Sequence, residues 1–184
     1  MQRQMFCALA GTDRRAVQSL VGKHRGRLFV DERDDPSRLP FAALGIVTTD
    51  DLTPLEAVAD IGLYVICERV IKPGSAAVYG LFPMLGHPDL SHAESDAHWR
   101  DVHAPLALKH HAYMTQYSQL SVVATLSGTP FDGFALCGFE NLDDLKERFF
   151  SEPDSREVIE ADIQKFADVK RSPRRLIATP HDHG

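Results

Sequence analysis

The order in which short apolar runs alternate with helical patterns restricts the folds open to this chain. Before the turn signal Pro73-Gly74, apolar runs predict strands at residues 5–10, 27–32, 41–48 and 63–71. Thr12 or Asp13 is placed to cap a helix that ends near His24, and Thr53-Pro54 begins a second, shorter helix. The order strand, helix, strand, strand, helix, strand is that of a split βαβ, ferredoxin-like unit.

The second half of the chain repeats this order. Its predicted strands lie at residues 76–84, 113–126, 131–139 and 174–179. Its predicted helices span residues 91–110 and the region from Asn141 or Asp143 toward Phe166. We therefore predict an α+β fold of tandem ferredoxin-like (βαββαβ) units forming an α+β barrel. Residues 1–74 would be a degenerate unit, and residues 75–184 the unit that carries the site.

The segment 98–107 concentrates reactive side chains on the long helix of the second half. Ser91 and Glu94 have the spacing of a capping box that begins this helix. Pro105 removes a backbone donor inside it, so we expect a bend or restart near residues 102–104. His98 and His103 are five positions apart, about 140° in a straight helix. A kink could bring both imidazoles toward one cavity.

Two functions are open to these histidines. Imidazole titrates close to neutral pH, so His98 and His103 could act as acid and base. Alternatively, each ring caps a carbonyl or packs beside Trp99, the only tryptophan. The residues alone leave both interpretations open.

The order of motifs in the second half resembles the EthD family of the dimeric α+β barrel superfamily. The resemblance rests on the His-Trp-x-x-x-His helix at 98–103, followed by Phe131-Asp132-Gly133 and by the acidic Asp143-Asp144-Leu145, and it covers about residues 76–179. It implies an apolar, enclosed pocket that binds a small aromatic or polyketide-like carbonyl compound, where an imidazole moves a proton. It also implies that relatives build the barrel from two subunits. Here the two units of one chain could pack face to face as an intrachain version of that barrel, and the sequence leaves a homodimer open.

The resemblance implies a set of candidate site residues. The catalytic candidates are His98, His103, Tyr79 and Tyr113, and the substrate-binding candidates are Trp99, Tyr117, Phe82 and Phe134. A histidine base can remove the proton next to a carbonyl, and a tyrosine hydroxyl can stabilise the resulting enolate. Lyases, isomerases and cyclases all use that step, and the sequence does not choose among them. Trp99 also fits the role of a packing anchor beside the kink.

Two alternatives belong to other functional classes. The barrel could be a non-enzymatic binding domain for an apolar small molecule, or it could bind haem, as some barrel relatives do. We predict no cofactor and no metal, because no histidine pair between His87 and His111 has the four-residue spacing of a helical zinc site.

Composition narrows the partners to small molecules. The net charge is −6 and the basic residues are scattered, so we expect no nucleic acid partner. No segment is long and apolar enough for a membrane span, so we expect no membrane partner and a cytoplasmic location. Cys7, Cys67 and Cys137 each lie in an apolar run, which predicts buried free thiols.

Overall fold

The computed structural model describes residues 4–33, 35 and 38–182. The strands within this part of the chain are β1 (Met5–Gly11), β2 (Arg27–Asp31), β3 (Ala43–Thr49), β4 (Gly62–Lys72), β5 (Val78–Met84), β6 (Met114–Gly128), β7 (Gly133–Phe139) and β8 (Leu176–Asp182). The helices are α1 (Arg14–Lys23), α2 (Thr53–Glu56), α3 (His92–His98), α4 (Ala104–His110), α5 (Leu142–Lys146) and α6 (Ser155–Ile163), with a π-helical turn (Trp99–His103) between α3 and α4.

The predicted α+β barrel is confirmed. The βαββαβ order occurs twice along the chain, with two helices, α5 and α6, before the last strand. Hydrogen-bonded neighbours follow the order β1-β3-β2-β8-β5-β7-β6-β4, which closes on itself.

The chain divides into two compact units. One comprises residues 1–67, 122–130 and 176–184, and the other comprises residues 68–121 and 131–175. Because β4 and β6 each contribute to both units, the units interleave along the sequence. The duplication with a boundary at residue 74 stays a prediction.

The first unit has a sheet in which β1 pairs antiparallel with β3 on one side and with β4 on the other. Helix α1 begins at Asp13, whose carboxylate accepts hydrogen bonds from the backbone of Arg15 and Ala16. Its buried face places Val17, Leu20 and Val21 in the same apolar core as the inward side chains of the strands. Asp31 is fully buried in this unit and is held by Arg33 and by the backbone N–H of Ile177.

The second unit has a sheet in which β7 lies between β5 and β6, with antiparallel pairing on both sides. Trp99, Phe166, Met84 and Ala167 form an apolar cluster in this unit. The carboxylate of Asp132 accepts a hydrogen bond from the backbone of Gly86, which joins the loop after β5 to the start of β7.

The long helix of the second unit begins and restarts where its sequence predicts. Ser91 and Glu94 form the full capping box. The backbone N–H of Ala104 donates to Trp99 O, five residues back, so the helix widens into a π-helical turn just before Pro105. Helix α4 then restarts with Pro105 in its first turn, where a missing N–H costs little.

The prediction for the cysteines is wrong at one position. Cys7 and Cys137 are buried, whereas Cys67 is exposed, because it falls on the outward-facing alternate position next to the buried Ile66 of β4. None of the described helices combines the length and apolarity that crossing a bilayer requires.

Candidate active site

The second unit contains a cavity of about 430 Å³ between its sheet and its helices. This volume is within the range of about 300–1,000 Å³ that is usual for small-molecule sites. Six aromatic side chains contribute to its wall: Phe82, Trp99, Tyr117, Phe149, Phe150 and Phe166. The cavity therefore suits a ligand with an apolar, flat body.

Strand alternation accounts for most of the sheet residues that line the cavity, although Pro83, between Phe82 and Met84, also lies in the wall. Phe82 and Met84 lie two apart on β5, and Ala135 and Cys137 lie two apart on β7, and all four line the wall. Successive side chains of a strand point to opposite faces, so residues at even spacing share a face. Phe82 and Ala135 are also direct partners in the β5–β7 register.

One buried carboxylate joins the two predicted histidines. Asp162 Oδ1 accepts a hydrogen bond from His98 Nε2 at 3.0 Å, and its Oδ2 accepts one from His103 Nδ1 at 2.9 Å. The side chain of Asp162 is only 4% exposed, and Lys165 Nζ lies 3.5 Å from its Oδ1. The ring of Phe166 packs against both imidazoles, with centroid distances of 5.3 Å to His98 and 5.0 Å to His103.

The π-helical turn explains how both histidines reach the same carboxylate. In a regular α-helix, residues five apart point about 140° from each other. A turn closed by hydrogen bonds to the fifth preceding residue contains one additional residue, which brings positions five apart to the same side. His98 and His103 bracket that turn, so both imidazoles face Asp162 on α6.

The electrostatics favour a neutral His103 and an ionised Asp162. Burial lowers the pKa of His103, and this effect outweighs the neighbouring carboxylate, which acts to raise it. Burial acts to raise the pKa of Asp162, but the hydrogen bonds from His98 and His103 more than offset it, so the pKa is lowered. His103 therefore carries its proton on Nδ1, where the carboxylate accepts it, and Nε2 keeps its lone pair.

The hydroxyl-bearing side chain of Tyr117 is a second polar residue in the cavity wall. Its hydroxyl oxygen accepts hydrogen bonds from Trp99 Nε1 at 3.2 Å and from Gln119 Nε2 at 3.0 Å. Arg69 Nε donates to Gln119 Oε1, and its guanidinium also pairs with Asp96 at 2.7 Å. Burial raises the pKa of Tyr117, so the hydroxyl stays protonated and has its own hydrogen to donate.

The structure brings together half of the sequence-predicted site residues. His103, Trp99, Tyr117 and Phe82 line the cavity, whereas His98, Tyr79, Tyr113 and Phe134 are not part of its wall. His98 reaches the site through Asp162.

The positions of Tyr79, Phe134 and Tyr113 explain why these three residues are not part of the cavity wall. Tyr79 is three positions before Phe82 on β5, and Phe134 is one position before Ala135 on β7, so alternation sends both side chains to the other face of the sheet. Tyr113 precedes β6, is 43% exposed and packs under the guanidinium of Arg148.

Sequence reasoning missed Asp162, the residue that organises the site. It lies 59 residues beyond His103, so no local motif connects the two. One signal was present, because Asp162 lies on the same face of α6 as the buried Ser155 and Ile159, at helical spacing. A carboxylate on the buried face of an amphipathic helix is rare unless it is paired.

Two further histidines hold the segment that carries Phe149 and Phe150. His111 Nδ1 donates to Phe149 O at 2.6 Å, and its ring packs against both phenylalanines. His110 Nδ1 is 2.8 Å from Ser155 Oγ at the start of α6. Burial lowers the pKa of His111 to about 4, so its imidazole is neutral at pH 7.

Among the residues that the structure describes, no cluster of three or more histidine, cysteine, aspartate or glutamate side chains has an arrangement that could hold a metal ion.

The comparisons with known proteins agree with the sequence resemblance. Residues 87–170 match the EthD domain, so the predicted resemblance is confirmed over that segment, which contains the π-helical turn and Asp162. No curated protein matches this chain.

Two solved structures share the fold. An anthrone oxidase-like protein is 9% identical with a TM-score of 0.53, and the match covers all of this chain and 94% of the other. A protein from Lactobacillus acidophilus NCFM, proposed to be a monooxygenase, is 9% identical with the same TM-score, and the match covers 98% of this chain and 97% of the other. At sequence identities this low, the matches support a shared fold and nothing further.

Proposed function

We propose that this protein is an enzyme in which His103 removes a proton from a small aromatic or polyketide-like carbonyl compound bound in the cavity. The observation that carries the proposal is the pairing of His103 with the buried Asp162 at the wall of an apolar, aromatic-lined cavity. The step uses side chains of this chain and no cofactor.

His103 has the properties of a general base. Its Nδ1–H is held by Asp162, which fixes the tautomer and leaves Nε2 to accept a proton. The ionised carboxylate then stabilises the imidazolium that forms. Asp162 is a positioning residue in this scheme, and His98 positions Asp162 in turn by occupying its second oxygen.

Tyr117 is the group that would stabilise the enolate. Its oxygen already accepts hydrogen bonds from Trp99 and Gln119, so its remaining interaction is the donation of its own hydrogen. A fixed donor in a dry site stabilises developing negative charge more strongly than water does. Tyr117 thus replaces Tyr79 and Tyr113 as the hydroxyl donor.

Proton removal next to a carbonyl begins isomerisation, elimination and cyclisation. It would also begin the oxidation of an anthrone, a tricyclic ketone with an acidic methylene group, when dioxygen is the co-reactant. The solved structure described as anthrone oxidase-like makes an anthrone a suitable probe. We propose only the first step that these reactions share, which is the removal of the proton next to the carbonyl.

We also propose a cytoplasmic homodimer. The buried free thiols of Cys7 and Cys137 support a reducing compartment.

The experiment that tests the function is deuterium uptake at the methylene carbon of anthrone in D₂O, measured by NMR under nitrogen. We expect the protein to accelerate exchange over the buffer rate. His103→Ala should return exchange to that rate, and added imidazole should restore part of it. His24→Gln, which changes a histidine outside the cavity wall, is the matched control and should exchange like the parent.

The alternatives predict different results. A non-enzymatic binding domain would bind anthrone without accelerating exchange in a panel of aromatic ketones. A haem protein would be purified with a Soret band. Exchange that survives His103→Ala would reject His103 as the base.

A further inference from the structure

The hydroxyl of Tyr117 is held by a buried network that ends at an ion pair. Gln119, two positions further along β6, is fully buried, and its Nε2 donates to the Tyr117 hydroxyl at 3.0 Å. Arg69 on β4 donates from Nε to Gln119 Oε1 at 3.0 Å. The same guanidinium donates to both carboxylate oxygens of Asp96, at 2.9 Å and 2.7 Å. These four residues all belong to the second unit.

The orientation of the Gln119 amide is fixed at both of its ends. An amide side chain can turn either its oxygen or its nitrogen toward a given neighbour, and the two orientations fill nearly the same volume. Arg69 can only donate, so it requires Oε1. The backbone oxygen of Trp99 can only accept, so it requires Nε2, which lies 3.0 Å away. Because the two requirements agree, Gln119 presents an N–H, and not an oxygen, to Tyr117.

This orientation decides how the Tyr117 hydroxyl can be used. Its oxygen accepts from Gln119 Nε2 at 3.0 Å and from Trp99 Nε1 at 3.2 Å. Neither of these nitrogens can accept the hydroxyl hydrogen in return. A reversed amide would place Gln119 Oε1 beside the hydroxyl, and that oxygen would take the hydrogen away from the cavity.

The same contacts strengthen Tyr117 as a donor. When a hydroxyl donates, its oxygen gains negative charge, which incoming hydrogen bonds stabilise. Burial raises the pKa of Tyr117, and the hydrogen bonds from Gln119 and Trp99 act against that rise, as does the positive charge of Arg69. The network therefore sets both the direction and the strength of the donation.

We infer that Gln119, held between Arg69 and Trp99, is a positioning residue that keeps the Tyr117 hydrogen available for the carbonyl oxygen of a ligand in the cavity. The described cavity wall includes Tyr117 but not Gln119, so Gln119 acts through the tyrosine. The inference rests on the proposed function in taking Tyr117 as the donor to the substrate oxygen, and it adds the residue that directs this donor.

The test uses xanthone, a tricyclic ketone with the shape of anthrone in which a ring oxygen replaces the methylene group. Xanthone has no proton that His103 could remove, so its carbonyl reports the hydrogen bond alone. Isotope-edited infrared spectroscopy measures the carbonyl stretch of xanthone, labelled at the carbonyl carbon and bound to the full chain. We expect a lower wavenumber than in cyclohexane, because accepting a hydrogen bond weakens the C=O bond. Tyr117→Phe should abolish this shift.

Substitutions at Gln119 separate direction from packing. Gln119→Glu keeps the shape but presents a carboxylate oxygen, which takes the Tyr117 hydrogen in a charge-assisted bond. The carbonyl shift should then be lost although Tyr117 is intact. Gln119→Met presents no acceptor, so it should retain much of the shift. Gln18→Glu makes the same change at an exposed position of α1 and is the matched control.

The exchange assay gives a second measurement of the same effect. Gln119→Glu should lower kcat for anthrone exchange by about 10²-fold, like Tyr117→Phe, with little change in KM. The double variant with Gln119→Glu and Tyr117→Phe should lose no more than either single variant, because both changes remove one hydrogen bond.

Four results would overturn the inference: xanthone that does not bind, bound xanthone without a shift, a shift that survives Gln119→Glu, and equal loss of the shift in Gln119→Glu and Gln119→Met. If Gln119→Glu fails to fold, the parent protein decides. Nuclear Overhauser effects from the Gln119 amide hydrogens to the Tyr117 ring protons would support the inference, and their absence would overturn it.

This inference and the proposed proton transfer can fail separately. His103→Ala should leave the carbonyl shift of xanthone in place, because the shift needs only the hydroxyl of Tyr117. A lost shift with active exchange would therefore count against Gln119 alone. A retained shift without exchange would count against His103 as the base.

Discussion

Acidification should destabilise this protein through His111 in a way that one substitution can isolate. Burial lowers the pKa of His111 to about 4, from an ordinary value of 6.5 in the unfolded chain. Because the folded-state pKa is the lower one, the unfolded chain binds the proton more readily. The contribution of His111 to stability is complete above about pH 6.5 and is lost as the pH falls toward 4.

The size of this loss of stability follows from the pKa shift of His111. Each unit of pKa corresponds to about 1.4 kcal/mol, so the shift from 6.5 to about 4 corresponds to about 3 kcal/mol. About 2 kcal/mol of this should be lost by pH 5, since between the two pKa values the unfolded state holds one additional proton. Other groups also contribute to the pH dependence of stability, including His103, whose pKa is also lowered by burial.

A matched variant separates His111 from these other groups. His111→Asn keeps a side-chain N–H that can donate to Phe149 O but cannot titrate. The free energy of unfolding of both proteins is measured by urea denaturation at intervals from pH 7 to pH 4.5. We expect the advantage of the parent over the variant to shrink by about 2 kcal/mol between pH 6.5 and pH 5. An advantage that stays constant over this range would refute the argument that burial keeps His111 neutral.

The remaining predictions concern the proton-transfer site. Asp162→Asn should slow anthrone exchange by about 10⁴-fold, as the same change does in another Asp–His pair, because the amide NH₂ can donate to His103 Nδ1 and favour the wrong tautomer. His98→Gln should move the acid limb of the pH–rate profile to higher pH with a smaller loss of rate, since His98 shares the carboxylate and its charge lowers the pKa of His103. Tyr117→Phe should slow exchange by about 10²-fold while the affinity for anthrone changes little, because the hydroxyl acts on the enolate.

Controls make these outcomes specific. Calorimetric titration with anthrone shows whether each variant keeps its cavity, and circular dichroism shows whether it keeps its fold. Asp162→Asn with unchanged exchange would remove Asp162 from the mechanism. An unshifted acid limb in His98→Gln would make His98 a structural residue only, and a parental exchange rate in Tyr117→Phe would mean that another donor meets the enolate.

Local patterns made the fold and the shape of the helix predictable. The strands could be placed because apolar runs end at turn residues, and the capping box at Ser91 and Glu94 located the start of the helix. Pro105 predicted an interruption of the helix. In the structure, this interruption is a π-helical turn. These features depend on residues a few positions apart, which a sequence displays directly.

The composition of the site was predictable only in part, because it depends on contacts across the chain. Asp162 meets His103 across 59 residues, and nothing near either residue reports that contact. Strand parity could have separated Phe82 from Tyr79, since an odd spacing places them on opposite faces. The choice of Tyr117 required the observed pairing of β6 with β7 and the position of Trp99.

The wide turn at Trp99–His103 makes the pairing of the two histidines tolerant of a change in chain length. Removing one residue there, for example Asp101, would convert the turn to ordinary helical winding and leave the two histidines four positions apart, about 40° from each other around the helix. Both imidazoles would therefore still lie on the side that faces Asp162. Homologues that differ by a single-residue gap at this point should share both the architecture and the histidine pair.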